Sequence, residues 1–142
     1  MRIGLDAMGG DFAPESVVRG AIAATKDLSS DDKIVLFGRK DDILRIISEQ
    51  GEDENLFEIV HTEDVIDMHD KPIKAFAHKP DSSLAVGFRY LKEGRIDSFA
   101  SAGSTGAMLV GTMYSVGPME GIIRPCLAAL VPKEKGGVTV LV

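Results

Sequence analysis

The stretch Ala100-Ser101-Ala102-Gly103-Ser104-Thr105-Gly106-Ala107 joins an apolar run to a helical pattern at residues 108–116. Serine, glycine and threonine in this position bring backbone N–H groups and three hydroxyls together where a helix begins with its partial positive charge. Such a turn is a candidate cradle for an anion, because glycine lets a ligand approach the main chain closely. A plain strand-to-helix turn capped by Ser104 is an equally open interpretation. Gly106 and Gly111 are expected to let the helix pack tightly on a sheet.

Apolar runs and helical patterns alternate on the N-terminal side of this turn. Runs typical of buried strands occupy residues 2–8, 33–38, 56–61 and 96–100, and helices are predicted after Pro14, after a cap at Asp41-Asp42 and at 84–92. Because parallel strands joined through a helix follow a right-handed crossover, this order predicts a parallel sheet with helices on both faces. A length of 142 residues with 44% apolar side chains suits a single α/β domain over residues 1–142.

The C-terminal part of the sequence carries two further apolar runs. Residues 126–131 and 138–142 predict two strands that pair as a hairpin. Cys126, the single cysteine, excludes an internal disulfide and is expected to be a buried structural thiol because it begins an apolar run. The second run still continues at Val142, so we expect the sequence to be the N-terminal portion of a longer chain.

Composition excludes several functional classes. A net charge of −6 without a cluster of Lys and Arg argues against nucleic-acid binding. The patterns G-x-G-x-x-G and G-x-x-x-x-G-K-[ST] are absent, so dinucleotide and nucleoside triphosphate binding lose support. No run resembles a signal peptide or a membrane-spanning helix, and a cytoplasmic location is therefore expected.

A second glycine turn, Asp6-Ala7-Met8-Gly9-Gly10-Asp11, follows the first predicted strand. In open α/β sheets, ligands bind beyond the carboxyl ends of the strands, so this turn and the one at residues 101–106 are both candidate binding elements. Asp6 and Asp11 could form a carboxylate pair for acid–base chemistry or for a metal. The favoured interpretation of the spacing is that one carboxylate caps the turn while the other is solvated.

A polar segment at residues 62–82 interrupts the alternation, and a connection of this length is usually functional or mobile. It predicts a short helix at 73–77, with Asp81-Ser82-Ser83 capping the next helix. Lys79, near those serines, and Arg124, which precedes a proline, are candidate clamps for an anion.

The histidines and carboxylates of this region offer a weaker metal hypothesis. Asp67, His69 and Asp70 could bind a metal, but ordinary solvated surface is favoured because no second cluster of ligands accompanies them. His61, at the end of a strand, is interpreted as a hydrogen-bonded edge histidine and not as a catalyst.

Taken together, the motifs closely resemble the PlsX family of acyl-ACP:phosphate acyltransferases in order and spacing. The motifs are Asp6-Ala7-Met8-Gly9-Gly10-Asp11 with Ala13-Pro14-Glu15, Asp81-Ser82-Ser83, Ser101-Ala102-Gly103-Ser104-Thr105-Gly106-Ala107 and Arg124-Pro125. The likeness runs from end to end of the sequence, which makes it more specific than any one glycine turn. One departure is Ser104, which stands where the family usually carries asparagine.

The resemblance implies a three-layer α/β/α fold with a mostly parallel sheet, similar to phosphotransacetylases and isopropylmalate-type dehydrogenases. It also implies transfer of a long-chain acyl group from acyl carrier protein to inorganic phosphate, which gives an acyl phosphate for phospholipid synthesis. Family members are cytoplasmic homodimers that associate peripherally with the membrane, and we expect neither a cofactor nor a metal.

With this reaction, the candidate catalytic residues are Asp6, Asp11 and Lys79. Phosphate or substrate is expected to contact Gly9, Gly10, Ser82, Ser83, Ser101, Gly103, Ser104, Thr105, Gly106 and Arg124. Two alternatives remain open: a phosphotransacetylase-like transferase acting on short acyl-CoA, and a non-catalytic module that binds an anion or a carrier protein.

Overall fold

A computed structural model describes residues 1–123 and 125–142. The elements in chain order are β1 (Arg2–Asp6), α1 (Glu15–Ala24), β2 (Lys33–Gly38), α2 (Lys40–Glu49), β3 (Phe57–His61), α3 (Pro72–His78), α4 (Ser83–Lys92), β4 (Ser98–Ala100), α5 (Thr105–Ser115), β5 (Ala129–Pro132) and β6 (Val138–Leu141). Short 3₁₀ turns follow α1 and precede β3. The alternation of strand and helix predicted from the sequence is confirmed.

The first four strands form one parallel sheet in the order β3-β2-β1-β4. β1 lies inside the sheet, where Gly4 is opposite Val35 of β2 on one side and Phe99 of β4 on the other. The parallel sheet predicted from the crossovers is confirmed. Since β1 and β4 are neighbours, the two glycine turns that follow them leave the same edge of the sheet side by side.

Successive residues of β2 explain why helices cover both faces of the sheet. Ile34 and Leu36 pack in one core cluster with apolar residues of α1 and α2, whereas Val35 and Phe37 pack in another with Val86 of α4. Side chains of a strand alternate between faces, so a strand buried on both sides must be apolar at every position. The result is the predicted three-layer α/β/α fold.

Aromatic rings connect the sheet to α4. The ring of Phe99 in β4 packs edge-on against Phe37 of β2 and Phe88 of α4, at centroid distances of 5.6 and 5.2 Å. These T-shaped arrangements place ring edges on ring faces, which the aromatic quadrupole favours. They fix α4 against the carboxyl half of the sheet.

The expected packing of α5 directly on the sheet is wrong at Gly111. A Cβ atom at this position would clash with the Phe88 ring of α4 and would lie 2.8 Å from the Phe76 ring of α3. Gly106, at the start of α5, approaches Pro72 of α3 instead, with its notional Cβ 3.1 Å from the proline ring. The glycines therefore let α5 pack on two other helices, a choice of partner that spacing along the chain does not encode.

The start of α2 differs from the predicted cap. Asp41 and Asp42 lie in the first turn of the helix, and Arg39 occupies the cap position without a capping side-chain hydrogen bond. The backbone amide of Lys40 donates to His61 Nδ1 of β3 at 3.1 Å. A histidine from a neighbouring strand thus satisfies one of the first amides of α2. The carboxylates of the two aspartates stabilise the helix through attraction to the positive end of its dipole.

The predicted hairpin is confirmed as the antiparallel pair β5 and β6, with Ala129 opposite Leu141. Its first strand begins three residues later than predicted, and the expected burial of Cys126 is wrong because the thiol is exposed. Every residue of both strands is also exposed, so the apolar run that contains Cys126 does not enter a core. Within residues 1–123 and 125–142, no helix has the length and apolarity needed to cross a membrane.

Replacing Gly111 by alanine tests the packing of α5. We expect Gly111→Ala to lower the free energy of unfolding by about 1–3 kcal/mol, since the added methyl group overpacks two phenylalanine rings. Gly20→Ala is the matched control, because nothing lies within 4 Å of a Cβ at this helical glycine, and it should stabilise the protein by up to about 1 kcal/mol. Urea unfolding followed by circular dichroism measures both, and stabilisation by both substitutions would contradict the packing.

Candidate functional site

The two glycine turns are joined through the buried carboxylate of Asp6, which is 2% exposed. The Ser101 hydroxyl donates to Asp6 Oδ2 at 2.6 Å, and the Met8 amide donates to Asp6 Oδ1 at 3.0 Å. Ser101 Oγ also accepts from the Gly103 amide at 3.0 Å. A carboxylate buried away from water needs such donors, so Asp6 holds its own turn and the turn after β4 in one arrangement.

Gly9 allows the turns to approach this closely. A Cβ at Gly9 would lie 2.5 Å from both Asp6 Oδ2 and Ser101 Oγ and 2.8 Å from the Gly103 nitrogen. The next residue, Gly10, has a φ of +110°, which side chains other than that of glycine rarely adopt. Gly9 therefore allows the two turns to come close, and Gly10 allows a backbone conformation that other residues rarely adopt.

The start of α5 serves both as a cap and as a set of donors. Ser104 has an extended backbone, is 7% exposed, and accepts from the Ala107 amide at 3.3 Å. This confirms Ser104 as the N-cap. The amides of Thr105 and Gly106, in the first turn, have no acceptor among the described residues, and both residues are exposed. The Ser104 cap therefore uses the Ala107 amide. The amides of Thr105 and Gly106 remain available to a ligand at the positive end of the helix.

Comparison with known proteins agrees with this arrangement of motifs. A family model described as "Fatty acid synthesis protein" matches residues 1–142. The chain belongs to this family. The resemblance predicted from the glycine turns is thereby confirmed.

Two of the relatives that the chain matches are both named phosphate acyltransferase. The chain is 44% identical to the phosphate acyltransferase of Clostridioides difficile (strain 630), over 99% of this chain and 41% of that protein. It is 45% identical to the phosphate acyltransferase of Caldicellulosiruptor bescii, over 96% of this chain and 40% of that protein. The chain thus spans about two fifths of the length of the curated relatives it matches.

Two other predicted residues, Lys79 and Asp11, make no hydrogen bond to the joined turns among the described residues. Lys79 Nζ donates to the Val65 carbonyl at 2.9 Å and to Asp70 Oδ2 at 2.5 Å. Asp11 is exposed and makes no hydrogen bond to a described residue. Arg124 lies outside the described residues. The structure therefore brings Asp6, Gly9, Gly10 and the 101–106 turn together, while Lys79 fixes the 62–82 segment.

Ser82 and Ser83 are both buried at the start of α4. Ser82 Oγ accepts from the Ala85 amide at 3.3 Å, which confirms its predicted capping role, and the Ser83 amide donates to the Asp64 carbonyl at 3.3 Å. The Ser82 hydroxyl thus satisfies a backbone amide of α4, and the Ser83 amide satisfies a backbone carbonyl of the 62–82 segment. Contact between either serine and a substrate remains a prediction.

The polar groups of the 62–82 segment bind one another. Asp67 Oδ1 accepts from the His69 amide at 2.9 Å, and the Asp67 amide donates to Asp70 Oδ2 at 2.8 Å. Throughout residues 1–123 and 125–142, no group of three or more histidine, cysteine and carboxylate side chains is placed to hold a metal. His61 is confirmed as a hydrogen-bonded edge histidine, with Nε2 2.8 Å from Glu63 Oε1.

An open apolar groove of about 460 Å³ lies beside the joined turns and is not evident from the sequence. It lies between α1 and β1, and Ala102 of the second turn also contributes to its wall. Its aliphatic residues are read as ordinary core positions from periodicity alone. Gly20, which lines the groove and is exposed, is a sequence signal for the gap, because glycine leaves the space of a side chain empty.

The link between the turns can be tested at Ser101. We expect Ser101→Ala to lower the free energy of unfolding by about 1–3 kcal/mol, because buried Asp6 Oδ2 loses its donor. Ser29→Ala is the control, since it removes a similar hydroxyl-to-carboxylate bond, 2.7 Å long, at an exposed site, and should cost less than about 1 kcal/mol. Equal losses in urea unfolding would show that burial of Asp6 does not strengthen this bond.

The ion pair of Lys79 and Asp70 predicts a pH dependence of stability. The Lys79 ammonium and the Asp67 amide lower the pKa of Asp70, so the pair stabilises the fold above the unfolded-state pKa and ceases to do so as pH falls through the lowered value. We expect Asp70→Asn to lower the melting temperature at neutral pH, with the difference from wild type vanishing in acid. Asp27→Asn, on an exposed 3₁₀ turn, is the control, and a deficit that persists in acid would contradict the assignment.

Proposed function

We propose that this chain takes part in the transfer of an acyl group to inorganic phosphate, and that its 101–106 turn holds the phosphate or the oxyanion formed during transfer. The observation that carries the proposal is the pair of amides at the start of α5, those of Thr105 and Gly106, which have no acceptor among the described residues. The names of the relatives, phosphate acyltransferase, supply the reaction class. Backbone amides at a helix start suit an anionic tetrahedral group because donors and helix dipole act together.

The proposed reaction makes one bond and breaks one bond. A phosphate oxygen attacks the carbonyl carbon of an acyl thioester, a tetrahedral oxyanion forms, and its collapse breaks the C–S bond to give acyl phosphate and a thiolate, which takes up a proton. Phosphate is already nucleophilic near neutral pH, so the protein needs chiefly to align it and to stabilise the developing charge. The rigid turn of residues 101–106 suits this task because its donors are held in place before the reaction.

Asp6 fits a positioning role in this scheme better than that of a base. Both of its carboxylate oxygens accept hydrogen bonds within the turns, and the side chain is buried. Asp11 is exposed at the end of the first turn and remains a candidate for contact with substrate. We propose Arg124 as the cation that approaches the phosphate, since Lys79 is paired with Asp70.

The donor of the acyl group is proposed to be a long-chain acyl carrier protein, and the product an acyl phosphate for phospholipid synthesis. We propose in addition that the protein is a cytoplasmic homodimer that associates peripherally with the membrane. A thioester presented by a carrier protein would reach the carboxyl edge of the sheet, where Ala102, Thr105 and Gly106 are exposed.

Proline at residue 105 removes one amide donor with little change to the helix. Thr105 is the first residue of α5, where proline is tolerated, and Ser104 before it has the extended backbone that a following proline requires. We expect Thr105→Pro to weaken phosphate binding by about tenfold or more, as for a lost hydrogen bond to a charged group. Thr105→Ala keeps the amide and should lose less phosphate affinity. Isothermal titration with phosphate measures the affinities of the wild type and of both variants.

Unchanged affinity in Thr105→Pro would exclude the α5 amide from the phosphate site. The donor is tested separately by supplying palmitoyl-carrier protein or acetyl-CoA and measuring acyl phosphate. Turnover of acetyl-CoA alone would favour the phosphotransacetylase-like alternative. Phosphate or carrier-protein binding without turnover of either donor would favour a binding module.

A further inference from the structure

The segment of residues 62–82 carries the helix that borders the start of α5. Pro72 is the first residue of α3 in this segment, and its Cγ atom lies 3.1 Å from the notional Cβ of Gly106. Because a real Cβ atom rarely has so close a neighbour, glycine at position 106 allows the proline ring to reach the backbone of α5. Gly106 also supplies one of the two amides of α5 that have no acceptor among the described residues.

α3 runs beside α5 in the same direction. Phe76, one turn after Pro72, lies against Gly111, with its Cζ atom 2.8 Å from the notional Cβ of that glycine. Both contacts therefore advance along the chain together, from Gly106 to Gly111 on α5 and from Pro72 to Phe76 on α3. The first turns of the two helices lie side by side, and the contact continues for about one and a half turns of α5.

A buried cluster joins the same segment to the first turn of α5. Ala107 is fully buried and belongs to one core cluster with Ala75 of α3, Ile66 and Leu84 of α4. Two of these residues, Ile66 and Ala75, come from the 62–82 segment. The place of the first turn of α5 is therefore set by this segment as well as by the hydrogen bonds of the joined turns.

Lys79 fixes α3 within the segment. Its ammonium group donates to the Val65 carbonyl at 2.9 Å and to Asp70 Oδ2 at 2.5 Å, and its amide donates to the Ala75 carbonyl at 2.8 Å. A helix of two turns has little stability of its own, so it depends on such contacts. The bonds of Lys79 tie the end of α3 to the residues that precede the helix.

We propose that Pro72 is a positioning residue for the Gly106 amide, and that the 62–82 segment holds the proline in place. This inference rests on the proposed function, because the amide matters to the reaction only if phosphate or the oxyanion binds at the 101–106 turn. The proline ring is rigid and loses no rotamer freedom when it is packed. Donors that are fixed before the reaction stabilise developing charge without reorganisation.

A double-mutant cycle between Pro72 and Gly106 tests this role. Gly106→Ala adds a methyl group against the intact ring and displaces the first turn of α5, whereas Pro72→Ala removes the ring and leaves a gap. We expect each single substitution to weaken phosphate binding by about threefold or more, measured by isothermal titration of the full chain with inorganic phosphate. The double variant places the new methyl group in the space of the lost ring, so its affinity should return to within about twofold of wild type.

Ile73→Ala is the matched control, because Ile73 follows Pro72 in the same turn of α3 and is 64% exposed. It should keep the phosphate affinity of the wild type. Pro72→Val retains carbon atoms at the γ position and should also bind phosphate like the wild type, even if Pro72→Ala fails to fold. Urea unfolding of each variant measures stability separately, since a purely structural role of Pro72 would lower stability and leave the phosphate affinity of the folded protein unchanged.

Phosphate affinities that do not change in the single variants, or that change additively in the double variant, overturn the positioning role. A loss in Gly106→Ala that Pro72→Ala does not relieve also overturns it, because the added methyl group then blocks the ligand directly. Failure of the proposed function is distinguishable. It appears as absent phosphate binding in the wild type or as unchanged affinity in Thr105→Pro, whereas failure of the positioning role leaves Thr105→Pro weakened and removes only the coupling.

Discussion

The buried hydrogen bond between Ser101 and Asp6 is the constraint on which the rest of the site depends. Its partners are 95 residues apart, and they meet only because β1 and β4 are adjacent parallel strands that end at the same edge. The carboxylate is removed from water, so each of its oxygens requires a donor, and the donors available are the Ser101 hydroxyl and the Met8 amide. Sheet order, turn conformation and the direction of the α5 amides are thereby linked.

Some polar groups of these turns bind one another, and others face solvent. Groups that point inward satisfy one another, as the Ser104 hydroxyl does with the Ala107 amide and Ser101 Oγ with the Gly103 amide. Groups that point outward, the amides of Thr105 and Gly106, have no acceptor among the described residues. The cap and the anion cradle, which the sequence leaves as alternatives, are therefore compatible, because they use different donors of the same turn.

Local features of the sequence predict the elements well, and long-range contacts account for the errors. β2 has its predicted bounds of residues 33–38 because every residue between charged Lys33 and Gly38 is apolar. The burial of Cys126 and the partners of Gly111 are predicted wrongly, since each depends on what packs against the segment and not on its own pattern. The Asp6 and Ser101 link could be anticipated only as proximity, because strand order is needed to place the two turns together.

An acidic protein can still attract an anion when the local field opposes the net charge. The chain carries a formal charge of −6, and Lys79, which the sequence offers as a clamp for the anion, is paired with Asp70. The fixed dipoles at the start of α5 carry no net charge, and their effect falls off within the first turn, so they act on a ligand already at the turn and do little at a distance. Tight phosphate binding would therefore require a cation in addition, which is the role proposed for Arg124. The amides of the joined turns are therefore suited to orienting a phosphate or an oxyanion that a cation has attracted, and not to attracting it from a distance.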